Sequence, residues 1–288
     1  MTWTLSAFAD EAAESCDDQL VALQQAHIHR VDIRMIDGFN IVELPLDHAV
    51  IIAKKLDDAN ITVGMFGSPI GKTDITDDLQ QDLVRLEHLG KLSSILGCNT
   101  VRIFSYFNEQ SLASTQREQQ SIDRLLRLRD AAGHLGLILY HENEKDIYGD
   151  RCERVLKLAD KVRDNQAFRL IFDFDNYHIF GEDTWDNWLA LQDVTDGFHL
   201  KDSDENQQHV PAGQGAGQLR KILTDAQDRG WVGHLALEPH LSYSAAVMAT
   251  GPSGQVNEAL CNVTPDKSFQ LAAEAANAML NEIGVPSV

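Results

Sequence analysis

Basic residues are scarce in this chain of 288 residues: 24 Lys and Arg stand against 44 Asp and Glu, for a formal charge of −20. A surface of that sign repels phosphate polymers, which excludes nucleic acid and anionic membranes as partners. Long hydrophobic runs are missing too, since no stretch approaches the roughly 20 apolar residues that a bilayer helix needs. The opening MTWTLSAFADEAAE has no basic leader and turns acidic at Asp10, so a soluble, cytoplasmic protein is expected. Cysteine is limited to Cys16, Cys98, Cys152 and Cys261, with no C-x-x-C pair; free thiols, no disulfide and no zinc knot are expected. No Pro/Gly/Ser-rich linker divides the sequence, and residues 1–288 are expected to form a single domain.

What the chain does have is repetition. Short apolar, β-branched or aromatic runs recur at intervals of about 25 to 40 residues, separated by stretches of helical period. Eight are present: TLSAF near position 4, RVDIRMI at 30, TVGMFG at 62, TVRIFSY at 100, LGLILYH at 135, FRLIFDF at 168, GFHLKD at 197 and HLALEPH at 234. Strand, helix, strand at that spacing is the βαβ pattern of a parallel sheet, and eight units close an α/β fold, the parallel (β/α)8 TIM barrel, at this length. The stretches between agree. Leu20, Leu23 and His27 share one helical face, Leu79, Leu83, Leu86 and Leu89 a second, and Val155, Leu156, Leu158 and Val162 a third. The pairs Asp17-Asp18 and Asp77-Asp78 suit helix starts, and Gly97, Gly133 and Gly230 suit helix ends. The only long irregular stretch, residues 241–264, follows the eighth strand and is expected at the active face, as a lid or a surface loop.

In a parallel barrel the side chains at the C-terminal strand ends converge on one cavity. Four consecutive strands end in residues that can do chemistry: His141-Glu142-Asn143-Glu144, Asp173-Phe174-Asp175-Asn176, His199-Leu200-Lys201-Asp202 and Glu238-Pro239-His240. Each has an ordinary reading when taken singly. An acidic residue after a strand often caps a helix, and a histidine in GFHL can be a core residue. Together they offer carboxylates and imidazole suited to one divalent metal ion, Mn2+, Co2+, Mg2+ or Zn2+.

The order E-N-E, F-D-x-x-N, H-x-K-D, P-A-G-x-G and L-E-P-H, running from Glu142 to His240, resembles the xylose isomerase-like barrel superfamily of sugar and sugar-phosphate isomerases and epimerases. Inosose dehydratase and apurinic endonuclease barrels are related to it. The segments ADE at 9–11, DIR at 32–34, GSPIGK at 67–72 and RIFSY at 102–106 extend the resemblance over nearly the whole chain. It implies a metal held by Glu142, Asp173, His199 and Glu238, with the two glutamates on opposite sides of the substrate. Asp173 directly follows RLIF, where the family has its ligand, while Asp175-x-x-His178 fits a D-x-x-H variant of that motif and keeps Asp175 open. The chain departs from the epimerases at Asn176, where a His can stand, and at Asp204-Glu205-Asn206, where an Arg often follows the strand-seven His.

The implied activity is that of a metal-dependent isomerase or epimerase acting on a sugar, sugar phosphate or related polyol. A metal bridging a carbonyl and an adjacent hydroxyl stabilises the enediolate formed when a carbon-bound proton leaves. Glu142 or Glu238 takes that proton and the other returns one. Loss of a β-hydroxyl from the same enediolate would give dehydration of an inosose-like cyclic ketose instead. A small carbohydrate is the expected partner, and homo-oligomers are common in the superfamily.

Asn176, Lys201, Arg102, Arg34, Lys72 and His141 lie near strand ends and are candidates for holding the substrate; pairing with the site's own carboxylates is the other role open to the cations. The glycine-rich loop at 210–217 lacks the lysine and Ser/Thr of a P-loop and is expected to shape the pocket. A metal-dependent nuclease on the same barrel is opposed by the charge and by the lack of a basic stripe. A non-catalytic sugar-binding barrel is opposed by the presence of both acid/base glutamates.

Overall fold

The computed structural model describes residues 3–242, 244–250, 257, 259–260 and 262–285. Each of the eight apolar runs forms a strand: β1 (Thr4–Ala7), β2 (Arg30–Ile33), β3 (Thr62–Phe66), β4 (Thr100–Ile103), β5 (Ile138–Glu142), β6 (Phe168–Asp173), β7 (Gly197–Leu200) and β8 (His234–Leu237). Neighbours in sequence pair in parallel, and β8 pairs with β1 to close the barrel. Around it lie α1 (Cys16–Gln25), α2 (Leu46–Ala59), α3 (Gln80–Leu96), α4 (Ser114–His134), α5 (Cys152–Lys161), α6 (Phe174–Ile179), α7 (Thr184–Leu191), α8 (Leu219–Asp228), α9 (Ala245–Thr250) and α10 (Pro265–Glu282). This is a (β/α)8 TIM barrel.

Local signals set most of the helix limits. Ser15 caps α1 by accepting the Asp18 N–H, and Gly97 ends α3 with φ +68°. Gly133 lies inside α4, and the left-handed turn that follows uses Gly136 at φ +70°. The expected faces hold with two exceptions. His27 falls beyond the end of α1 and is exposed. In α5, Val155 and Leu158 are buried, whereas Leu156 points between turns and is 38% exposed.

Two-residue alternation sorts the strand side chains. Leu139, Leu170, Phe172 and Phe198 face the helices as part of the main core, while Tyr140, Ile171 and Met65 pack together inside the barrel. Two positions further along, that interior row ends in Glu142 and Asp173 at the C-terminal face. The stretch 241–264 contributes α9, which packs near the turn Ala9–Glu11 and buries Val247. Residues 243, 251–256, 258 and 261 of the expected lid, Cys261 among them, lie outside the described residues. Cys16, Cys98 and Cys152 are free thiols. Among the described residues no helix is long and apolar enough to cross a membrane.

Candidate metal and substrate site

Glu142 and Asp173 are the last residues of β5 and β6, His199 lies in β7, and Glu238 follows β8 directly. The register pairs Asp173 with His199, and His199 with Ala236 two residues before Glu238. All four side chains therefore reach one level of the barrel, and one ligand atom from each lies within 4.8 Å of the others. His199 Nδ1 is 2.9 Å from Glu142 Oε1, 3.0 Å from Glu238 Oε2 and 4.0 Å from Asp173 Oδ2. All four residues are buried. Glu142 Oε2 and Asp173 Oδ2 are buried and meet only ion-pair partners, Arg102 at 3.4 Å and Lys201 at 3.1 Å. Three buried carboxylates converging on one imidazole nitrogen fit a divalent cation of oxygen and nitrogen preference.

Asp173 both caps a helix and faces the cluster. Oδ1 caps the short helix α6 by accepting the Asn176 N–H at 2.8 Å, and Oδ2 faces the site, 3.1 Å from Lys201 Nζ. Asp175 points elsewhere. Its Oδ2 meets His209 Nε2 at 3.1 Å, and it is not among the four convergent ligands. His178 turns away to the Asp204 carbonyl.

Burial raises the cost of charge at every one of these positions, and the neighbours decide the outcome. For Glu142 burial is outweighed by His199 and Arg102, against the opposition of Glu238, so its pKa falls to about 2. Glu238 is likewise held well below the carboxylate range by Arg102, His199 and Lys201. Burial drives Asp173 well above it despite Lys201. Burial disfavours the His199 imidazolium, yet Glu142 and Glu238 raise its pKa to about 10.

Of the further candidates, Lys72, Arg102, Asn176 and Lys201 line the cavity above the cluster. Glu144, Asp175, His209 and His240 complete the wall with Glu142 and Glu238, and among the described residues no apolar side chain takes part. Lys201 donates to Asn176 Oδ1 at 2.9 Å, and Arg102 to Glu238 Oε1 at 3.1 Å. Lys72 pairs with Glu144 at 2.9 Å and sits 4.4 Å from the Phe104 ring. Its position depends on Gly71, at φ +83°, where a Cβ would run into the Phe104 carbonyl. Arg34 and His141 do not line this cavity. Arg34 lies behind Glu238, donating to it at 2.8 Å while a two-bond pair holds Asp10. His141 faces the other side of β5, bonded to Ser105 Oγ at 2.9 Å, and burial lowers its pKa to about 3.

The loop at 210–217 is folded onto Asp202, whose carboxylate accepts the N–H groups of Gly213, Gly215 and Gly217 at 3.0, 2.9 and 3.0 Å. Those donors are thereby committed and do not form an anion cradle. Sequence reasoning passed over Glu11 and His240, which with Glu238 form a second convergent group. Burial, only partly offset by Arg34, raises the Glu11 pKa to about 8, and His240 holds a left-handed backbone at φ +50°. Both stand in segments already noted, ADE and L-E-P-H, so their strand-end position was the available signal. His209 gave no such signal, because it sits on a hairpin beyond β7.

A family model described as xylose isomerase-like TIM barrel matches residues 36–259. The chain belongs to that family. Solved structures of similar fold include the IolI protein with a bound zinc atom, at TM-score 0.76 and 14% identity over 97% of this chain and 99% of that one. D-psicose 3-epimerase in the presence of D-fructose follows at TM-score 0.73 and 13% identity, over 98% and 99%. The probable 3-DHS dehydratase AsbF of petrobactin synthesis, from Bacillus anthracis, has TM-score 0.70 and 14% identity over 96% and 98%. At these identities the likeness is one of fold alone. No curated protein matches the sequence.

Proposed function

We propose that this member of the xylose isomerase-like family is a divalent-metal-dependent isomerase or epimerase of a small polyhydroxylated substrate, working by proton transfer between Glu142 and Glu238. The observation that carries the reading is the convergence of Glu142, Asp173, His199 and Glu238 at the C-terminal strand ends. Those four residues would hold the metal, of the Mn, Co, Mg or Zn kind. When bound, it would supply Lewis-acid stabilisation of negative charge on substrate oxygens. Glu142 and Glu238 are held ionised by their neighbours, which suits one to accept a carbon-bound proton and pass it to solvent while the other takes a proton from solvent and delivers it to carbon. Arg102 and Lys201 neutralise the carboxylates around the reacting atoms, and Arg34 orients Glu238 from behind. Asn176 and Lys72 add hydrogen-bonding groups to the wall, which suits a polyhydroxylated substrate.

The test is elemental metal content of protein purified without chelators, followed by exchange of carbon-bound protons in heavy water with ketoses, sugar phosphates and inososes. About one metal per chain and metal-dependent exchange with return of the proton are expected. Loss of water from the substrate moves the reading to a dehydratase. No metal even with excess Mn2+ overturns it in favour of a sugar-binding barrel.

A further inference from the structure

His209 lies on the second strand of a hairpin, His209–Val210, paired antiparallel with Asp202–Ser203 just beyond β7. Its ring lines the cavity and is buried, with 2% of its surface exposed. Nε2 is 3.1 Å from Asp175 Oδ2, and Nδ1, on the other side of the ring, has no hydrogen-bond partner. A carboxylate can only accept, so the Nε2 position carries the proton, and Nδ1 is the ring nitrogen left for a further partner, an acceptor whenever the ring is neutral. The hairpin that carries the ring is fastened from below by Asp202. Its three bonds from Gly213, Gly215 and Gly217 need a glycine at 215, where a Cβ would collide with the Asp202 carboxylate. The ring also packs against His240, centroid to centroid 5.5 Å. A buried, unpartnered ring nitrogen on a residue of the cavity wall disfavours the fold unless a partner meets it.

We propose that His209 is a specificity-determining residue of this site, its Nδ1 accepting a hydrogen bond from a substrate hydroxyl that none of the four convergent ligands contacts. Asp175 is then a positioning residue, fixing the tautomer that leaves Nδ1 as acceptor. This rests on the reading of the cavity as one for a polyhydroxylated substrate, and it adds the requirement that the substrate place a free hydroxyl there. An analogue lacking that hydroxyl would leave Nδ1 unpaired and be rejected strongly.

The experiment uses the full chain labelled with 15N-histidine in the presence of Mg2+, with erythritol as the probe. In the wild type the His209 Nε2 should be protonated and Nδ1 bare, and erythritol should move the Nδ1 resonance. In Asp175→Asn the amide can donate to Nε2, so the proton should shift to Nδ1 and erythritol binding should weaken about tenfold or more. His209→Phe keeps the ring volume and should weaken binding similarly without loss of metal, which supplies the reading should Asp175→Asn fail to fold. A proton on Nδ1 in the wild type, an unmoved Nδ1 resonance, or unchanged erythritol affinity in the variants would overturn the inference. Metal content and carbon-proton exchange report separately on the proposed function. A protein that exchanges such protons while Nδ1 ignores erythritol keeps that function and loses this residue.

Discussion

Asn143 and Asp173 exchange two hydrogen bonds across adjacent strand ends: Asp173 N donates to Asn143 Oδ1 at 2.8 Å, and Asn143 Nδ2 donates to the Asp173 carbonyl at 3.0 Å. Asn176 Nδ2 donates to the Asn143 carbonyl at 2.8 Å, so the backbone that aims Asp173 at the site is held from two directions. Outer partners of this kind typically contribute about 10–100-fold to metal affinity. Asn143→Ala should therefore weaken metal binding by that factor, measured by competition with a chromophoric chelator. Unchanged affinity would show that the β6 backbone alone orients Asp173.

His199 is the single nitrogen of the proposed ligand set and faces three carboxylates. His199→Ala should reduce metal content from about one ion per chain to a small fraction, as read by elemental analysis, with the fold intact by circular dichroism. Full retention of metal in this variant would place the ion elsewhere.

Glu238→Gln keeps an oxygen for Arg34 and Arg102, which donate to Oε1, but removes the basic group. Loss of general acid/base catalysis typically costs about 10²–10⁴ in rate. The expected result, at saturating metal, is a kcat lower by that factor with KM within a fewfold. An equal loss in both parameters would assign Glu238 to ligand binding.

Metal uptake should depend on pH in a definite direction. His199, raised to about 10 by Glu142 and Glu238, and Asp173, raised well above the usual range by burial, both hold protons that a metal must displace. Affinity should fall as pH is lowered through the neutral range, by roughly tenfold per unit for each proton released, and should level off toward pH 10. Calorimetry in buffers of different ionisation enthalpy counts those protons. A pH-independent affinity between 6 and 9 would contradict the arrangement.

Asp202 holds the glycine loop through three bonds, yet burial raises its pKa from 3.8 to about 6. Because the folded value is the higher one, its protonated form favours the fold. That contribution is fully present below pH 3.8 and is lost as pH rises through about 6. Asp202→Ala should cost about 2 kcal/mol by urea unfolding at low pH, since bonds to a buried carboxyl are lost. It should also flatten the decline in stability over that pH window. A variant as stable as the wild type with an unchanged pH profile would show that the loop holds itself.

Much of the barrel is legible in the chain because a parallel strand buried on both faces needs a short apolar run, and eight such runs from TLSAF to HLALEPH declare themselves. The residues after those runs are legible for the same reason, since the fold brings every C-terminal strand end to one face. The strand ends could thus be singled out before their distances were known, and the family resemblance picked Glu142, Asp173, His199 and Glu238 among them. Local pattern could not choose between Asp173 and Asp175, because both follow the same strand and only the turn into α6 sends one inward and the other to His209. Nor could it place His209, which a chain reversal returns to the cavity, or show that Arg34 and His141 face away from it.

The sequence by itself determined the period, the number of units and the chemistry available at their ends, because these follow from backbone repeat and side-chain type. Only the tertiary structure decided which oxygen and which nitrogen meet, because side-chain direction is set by contacts between residues as far apart as Arg34 and Glu238.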